Sequence, residues 1–233
     1  QGSLDALADN KQLIQADGGQ IILTAKAADT LSTAVVNNTG IIQARTVQNV
    51  GGVIKLMGDM DTGTVNVGGT LDASAQNGDG GFIETSAAHV KVQDGAQVTT
   101  QAGNGLTGSW LIDPVDFTIA ATGGDITGAT LSTNLGSANV TIMSTSGGAG
   151  TAGDVNVNDT VTWSANTLTL NAQNDININS EMFGSGTAGL ALEYGQQAVN
   201  AGNLSTYNIN APINLASTGS FSTKLGSDGA TTA

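Results

Sequence analysis

The 233-residue chain contains no cysteine. A disulfide scaffold, a Cys-ligated zinc site and a thiol nucleophile are excluded together. The absence does not assign the chain to the cytosol, because large exported β-repeat proteins commonly fold without disulfides. Charged residues make up only 11% and aromatics 3%, against about 25% charged in an ordinary domain. So little charge argues against disorder, which comes with high charge and few apolar residues. With 39% apolar residues the chain can bury a core, built from Val, Ile, Leu and Ala. No apolar run approaches the ~18 residues of a membrane-spanning helix, and no charged n-region with an apolar h-region opens the chain. Gln1-Gly2-Ser3 reads as a remnant of expression cloning and the whole as an excised piece.

Basic residues are the next scarcity. The net charge is −13, and the six bases are Lys11, Lys26, Arg45, Lys55, Lys91 and Lys224. Between Val92 and Thr223 there is no Lys or Arg. Nucleic-acid binding needs clustered bases to displace counterions from phosphates, and anionic membranes need the same; neither is expected as a partner. A net acidic surface suits the solubility of an exported protein.

Glycine, in contrast, takes 33 positions, about twice the usual share, and the sequence repeats. Gly18-Gly19-Gln20-Ile21-Ile22-Leu23 aligns with Gly51-Gly52-Val53-Ile54-Lys55-Leu56 and with Gly80-Gly81-Phe82-Ile83-Glu84-Thr85, at spacings of 33 and 29 residues. A second unit recurs between these blocks: Gly40-Ile41-Ile42, Gly69-Thr70-Leu71 and Ala96-Gln97-Val98, spaced by 29 and 27. Apolar residues alternate with period two, the signature of strands. The alternation puts Ile21, Ile54, Ile83, Leu23, Leu56 and Thr85 on the core face and Lys55 and Glu84 on the solvent face. The double glycines are expected to supply positive-φ turns.

A loose repeat of short strands and turns predicts a β-solenoid of about 22–30 residues per coil, each coil stacking on the next at about 4.8 Å. The competing β-sandwich requires no repeat and no triplicate double glycine. A helix is not expected, since no stretch carries a sustained i, i+3, i+4 apolar stripe. Gly2–Asn10 and Ala27–Ala34 are the segments least readable as strand. In the second half, Asp154-Val155-Asn156-Val157 and Asp175-Ile176-Asn177-Ile178 recur 21 residues apart. Ser144–Gly153 and Gly184–Ser205 read as loops leaving the solenoid, where binding is usually found. Residues 4–183 are thus expected to form a β-helix, and 184–233 a loop-rich continuation or the start of another module.

At Gly108-Ser109-Trp110-Leu111-Ile112-Asp113-Pro114-Val115-Asp116-Phe117-Thr118-Ile119 the chain resembles the G-[ST]-W-L-[LI]-D-P-x-[DN]-x-[TS]-I signature of two-partner-secretion exoproteins. These are the filamentous-haemagglutinin-like and high-molecular-weight adhesins of Gram-negative bacteria. Gly80-Gly81-Phe82-Ile83-Glu84-Thr85-Ser86 is similar to their G-G-[FY]-[IV]-E-T-S segment, and Trp163–Ala172 with Asp175–Ile178 to a further recurring stretch. The resemblance covers about Gln12 to Ile178 and fades after Gly195. It implies a right-handed parallel β-helix, export through an outer-membrane transporter, and a place at the cell surface or outside the cell. The family's secretion domain carries N-P-N-L and N-P-N-G-I motifs. Neither proline here, Pro114 or Pro212, follows an asparagine, so the chain reads as shaft downstream of that domain.

Trp110, Leu111, Asp113 and Pro114 are read as a structural corner: a strand opens after a glycine-rich turn, Asp113 accepts backbone N–H groups, and Pro114 fixes φ behind it. Asp113 and Asp116 could alternatively serve as a glycosidase pair or hold calcium. A solenoid polysaccharide-degrading enzyme generally needs further bases or carboxylates at the site, and no enzyme is expected. The lone His89 shares an outward face with Lys91. Asn77-Gly78-Asp79-Gly80-Gly81 is read as turn chemistry, with calcium as the alternative, and no other cofactor is expected. Gly147-Gly148-Ala149-Gly150 has no following Lys to hold phosphate. Tyr194, Tyr207 and Phe183 are the weak candidates for stacking on sugar, with capping of the core as the competing reading. The function expected is structural: a β-helical segment presenting adhesive regions to host cells, other bacteria or matrix. Binding of a host receptor or polysaccharide through protruding loops is the alternative. Uncovered coil ends predict end-to-end self-association.

Overall fold

The computed structural model describes residues 6–26, 34–48, 50–145 and 152–233. Parts of the expected excursion at 144–153, the glycines of 147–150, most of 27–34 and the first five residues lie outside that description. The chain divides into two compact units, the first formed by Gln1–Pro114 with Ser137–Asn139 and the second by Val115–Gly136 with Val140–Ala233. Each is a β-solenoid of parallel strands.

Unit 1 is built from four coils of three short strands. The first carries β1 (Ala6–Asn10), β2 (Leu13–Gln15) and β3 (Gln20–Thr24); the second β4 (Ala34–Asn38), β5 (Ile41–Gln43) and β6 (Val53–Met57). The third carries β7 (Thr64–Val67), β8 (Thr70–Asp72) and β9 (Phe82–Ser86); the fourth β10 (His89–Val92), β11 (Gln97–Thr99) and β12 (Ser109–Asp113). Each strand pairs in parallel with its equivalent one coil away, so the coil has three faces. The register is the one the repeats predict: Ile21 faces Ile54 and Ile54 faces Ile83, while Ile41 faces Thr70 and Thr70 faces Gln97. Like positions therefore pile into columns. Ile54, Ile83 and Trp110 form one, Ile42, Leu71 and Val98 another, and Val36, Val65 and Val90 a third, all fully or almost fully buried. Ile22, on the opposite face of β3, is 49% exposed.

Unit 2 follows the same plan with one substitution. β13 (Phe117–Ile119) is followed by α1 (Gly128–Leu135) where a second strand would stand, then β14 (Asn139–Ser144). Complete coils follow: β15 (Val155–Val157), β16 (Val161–Trp163) and β17 (Thr167–Ala172), then β18 (Ile176–Ile178), β19 (Met182–Gly184) and β20 (Gly189–Tyr194), then β21 (Tyr207–Ile209), β22 (Ile213–Leu215) and β23 (Ser220–Leu225). The 21-residue recurrence is one coil, with Val155 facing Ile176 and Val157 facing Ile178. Coil lengths run from 21 residues here to 33 between Ile21 and Ile54, the spacings at which the sequence repeats.

Three expectations are corrected. The helix was not anticipated because Gly-Ala-Thr-Leu-Ser-Thr-Asn-Leu is short and rich in poor helix formers, and eight residues are marginal alone. It is held by context: the Thr127 side chain caps Thr130 N, Leu131 and Leu135 are fully buried, and Ser132 Oγ accepts from Thr162 N of β16 at 2.9 Å. Second, 184–205 is not one excursion, since β20 lies within it and pairs with β17 and β23. Third, of the double glycines only Gly18 has a positive φ, 71°. At Gly52, Gly81 and Gly108 the reason is space, because a Cβ would collide with the carbonyl oxygen of Ala44, Gly52 and Gly81 respectively.

Two outward columns of unit 2 are polar and self-complementary. Asn208 Nδ2 donates to Asn177 Oδ1 (2.9 Å) and Asn177 Nδ2 to Asn156 Oδ1 (3.0 Å). Beside them Asn210 donates to Asn179 and Asn179 to Asn158, both at 2.8 Å. Truncating the middle of a core column, as in Ile54→Ala, is expected to cost about 2–5 kcal/mol, whereas Ile22→Ala should stay within about 0.5 kcal/mol. Equilibrium urea denaturation of both variants checks this; equal losses would show that the columns do not carry the stability.

Candidate functional site

The two sequence segments singled out in unit 1, Gly80–Ser86 and Gly108–Pro114, are neighbours in space. β9 and β12 pair along their whole length, with Trp110 opposite Ile83, Leu111 opposite Glu84, Ile112 opposite Thr85 and Asp113 opposite Ser86. Alternation then assigns the side chains. Trp110 is fully buried, and its Nε1 donates to Thr85 Oγ1 at 3.1 Å. The Thr85 hydroxyl in turn donates to the Leu111 carbonyl at 3.3 Å. A buried indole usually finds such an acceptor, and Thr85 supplies it among the aliphatic residues of the core face. Leu111 is half-buried on the outer face, and Pro114 is buried.

On that outer face Glu84 is the hub. Its Oε2 pairs with Lys55 Nζ at 2.7 Å, and its Oε1 accepts from Ser86 Oγ at 3.0 Å. Lys55 also lies 5.6 Å from the centre of the Phe82 ring, a cation–π distance. Asp113 stands apart from this network. It does not accept the backbone bonds expected of it: Oδ1 is buried with no hydrogen-bond partner. Burial, reinforced by the nearby Glu84 charge, pushes its pKa up to about 6. The corner role falls to Asp116 in unit 2, whose Oδ1 accepts from the backbone N–H of Gly153 (2.8 Å) and Asp154 (3.0 Å).

The remaining candidates are dispersed. His89 is exposed, on the same face as Lys91. In the 77–81 turn, Asp79 Oδ1 accepts from Leu106 N (2.8 Å) and Asn77 Oδ1 from Asn104 Nδ2 (3.3 Å), so these oxygens tie one coil to the next. No group of three or more His, Asp or Glu among the described residues is placed to hold a metal. Tyr194 and Tyr207 meet edge to face, centroids 5.0 Å apart at 69°. Burial, followed by the Tyr207 charge, raises the Tyr194 pKa. Tyr207 occupies a core position opposite Ile176 and is 36% exposed because β21 ends its sheet. Phe183 points outward from β19 and is 45% exposed.

One pattern escaped the sequence reading. The carboxylates of unit 2 act as acceptors for backbone N–H groups: Asp125 for Thr118 (2.7 Å), Asp159 for Gly128 (2.8 Å), Asp154 for Asp175 (3.1 Å), Asp175 for Thr206 (2.7 Å) and Asp228 for Val199 (2.7 Å). The absence of Lys and Arg over this stretch was the available signal. The comparisons add no relative: no family model, no curated protein and no solved structure matches the chain.

The two aspartates should respond oppositely to substitution. For Asp113 the folded pKa lies above the unfolded value of 3.8, so its burden on stability is absent at acid pH, grows between about 4 and 6, and is complete above. Asp113→Asn is therefore expected to stabilise the fold at pH 7 by about 1–2 kcal/mol, the full linkage value being reduced by partial solvation, and to have no such effect at pH 3.5. Asp116→Ala, which strips two backbone donors of a charged acceptor, should cost about 1.5–3 kcal/mol at pH 7. Thermal melts at the two pH values test both signs.

Proposed function

We propose that this chain is a structural β-solenoid segment of a large secreted surface adhesin of a Gram-negative bacterium, holding adhesive regions away from the cell. The observation that carries this reading is the pairing of the two motif segments. Gly80–Ser86 and Gly108–Pro114, through which the sequence resembles two-partner-secretion exoproteins, form successive rungs joined by the Trp110–Thr85 hydrogen bond. A motif whose side chains serve the packing of a coil, rather than the lining of a pocket, fits a shaft. The physical properties agree with that role. Each coil closes its main-chain bonds on the next, which leaves few exposed strand edges, and several outward columns are amides or opposite-charge pairs.

In this reading the full-length protein meets an outer-membrane transporter during export, and the strands ending each sheet receive further coils. β21, β22 and β23 end their sheets, with the core-position residues Ile209 and Phe221 49% and 37% exposed. An antibody raised against the chain should label intact, unpermeabilised cells of the bacterium that encodes it, or detect the protein in the medium. Labelling confined to permeabilised cells would overturn the proposal.

A further inference from the structure

Away from the motif corner, unit 1 carries a groove of about 630 Å³, within the ~300–1,000 Å³ range of ligand sites. It runs across four coils on the flank that follows β2, β5, β8 and β11. Its polar lining comes from Asp17, Arg45, Ser74, Gln76, Thr99 and Gln101. Four of these form a column: Thr46 bridges Ala75 and Ala75 bridges Ala102, which brings the preceding residues Arg45, Ser74 and Gln101 into line, and Asp17 continues it through the Gly18 N to Arg45 carbonyl bond of 2.7 Å. One acid, one base, one hydroxyl and one amide thus stand at successive coil steps of about 4.8 Å.

We propose that this groove binds a neutral oligosaccharide laid along the stack. A ligand that repeats hydroxyl groups along an extended chain matches a wall that repeats donors and acceptors at every coil. The charged members are fixed in advance, which lowers the ordering cost of binding. The Asp17 carboxylate receives Arg45 N at 2.9 Å, Gln15 Nε2 at 2.7 Å and Gln43 Nε2 at 2.9 Å. Arg45 is clamped by Asp72 through Nε at 2.8 Å and a terminal nitrogen at 2.7 Å, with half its side chain exposed. Val47, which also lines the groove and is 43% exposed, supplies an apolar surface for the C–H face of a sugar ring.

Charge and backbone pairing decide against other ligands. The Arg45 charge is balanced by Asp72, Asp17 adds a negative one, and the chain carries −13 overall, so an anionic polymer is repelled. A peptide strand would need free backbone groups for sheet addition. Here Thr46 N bonds Ser74 O, Ala75 N bonds Gln101 O and Gly103 N bonds Ala75 O, at 2.8–2.9 Å. The site goes beyond the shaft reading, which stands whether or not the groove is occupied.

The test uses the 233-residue chain. Maltohexaose, cellohexaose and the hexamer of N-acetylglucosamine are titrated by calorimetry and by amide chemical-shift mapping, with a heparin hexasaccharide as the anionic comparison. Saturable binding of a neutral probe is expected, with shifts at Ser74, Gln76 and Gln101. The double variant Gln76→Ala/Gln101→Ala should bind at least about tenfold more weakly with an unchanged melt, and Ser74→Trp, which fills the groove, should abolish binding. If Ser74→Trp does not fold, the glutamine variant decides. No saturable binding of any neutral probe, a preference for heparin, or equal affinity in the glutamine variant would each overturn the proposal.

Discussion

The constraint on which everything else depends is that each coil pairs in parallel and in register with the next. At about 4.8 Å per step, an outward residue has its own equivalent as nearest neighbour above and below. A column of like charges at that spacing would be costly, since two unit charges 4 Å apart interact by about 1 kcal/mol in water and about 4 kcal/mol near a protein surface. The scarcity of charge in the composition is a consequence of the stacking. Lys55 and Glu84, opposite each other in successive coils, carry opposite signs, and where two acids do stack, as at Asp154 and Asp175, each accepts a backbone N–H from the next coil. An outward column of carboxamides satisfies itself, since each donates to one neighbour and accepts from the other, as along Asn156, Asn177 and Asn208.

The same constraint explains how unit 2 uses many acids with a single base, Lys224. Turns between strands leave backbone N–H groups that no adjacent strand can satisfy, and a buried orphan is expensive. A carboxylate from a neighbouring turn is a strong acceptor that needs no counter-ion in the stack. Asp116, Asp125, Asp154, Asp159 and Asp175 all serve in this way. Asp113, in the last strand of unit 1, shows the contrast: it projects from a strand rather than a turn, meets no N–H through Oδ1, and is driven toward its neutral form.

Much of the architecture was legible in the sequence because stacking turns register into repetition. Ile21, Ile54 and Ile83 could be superposed by eye from their glycines and alternation, and the observed pairing is that superposition. What stayed illegible depends on contacts between coils. α1 forms through a cap and a partner strand that its eight residues do not announce. The glycines announced themselves but not their reason: the close approach of Gly81 to the Gly52 carbonyl is a property of two coils. The sequence pointed to Asp113 as the corner acceptor, and only the placement of Gly153 and Asp154 beside Asp116, three residues on, gives that role to the second aspartate. The groove was equally hidden, since Asp17, Arg45, Ser74 and Gln101 share no sequence motif and are united only by the coil step.

A fold of this kind separates stability from surface chemistry more completely than a compact globule does. The inward columns must keep volume and polarity, because a change in one rung is felt by the rungs on either side; at Gly184, opposite Trp163, a Cβ would collide with Leu215 of the following rung. The outward columns have to satisfy only their two neighbours, and an acid, a base, a hydroxyl and an amide can follow one another on the same flank without disturbing the core. Surface recognition in such a chain therefore arises as linear arrays along the stack rather than as a pocket closed by converging loops. A segment can serve as shaft by its inward columns and still carry a binding array on its outward ones.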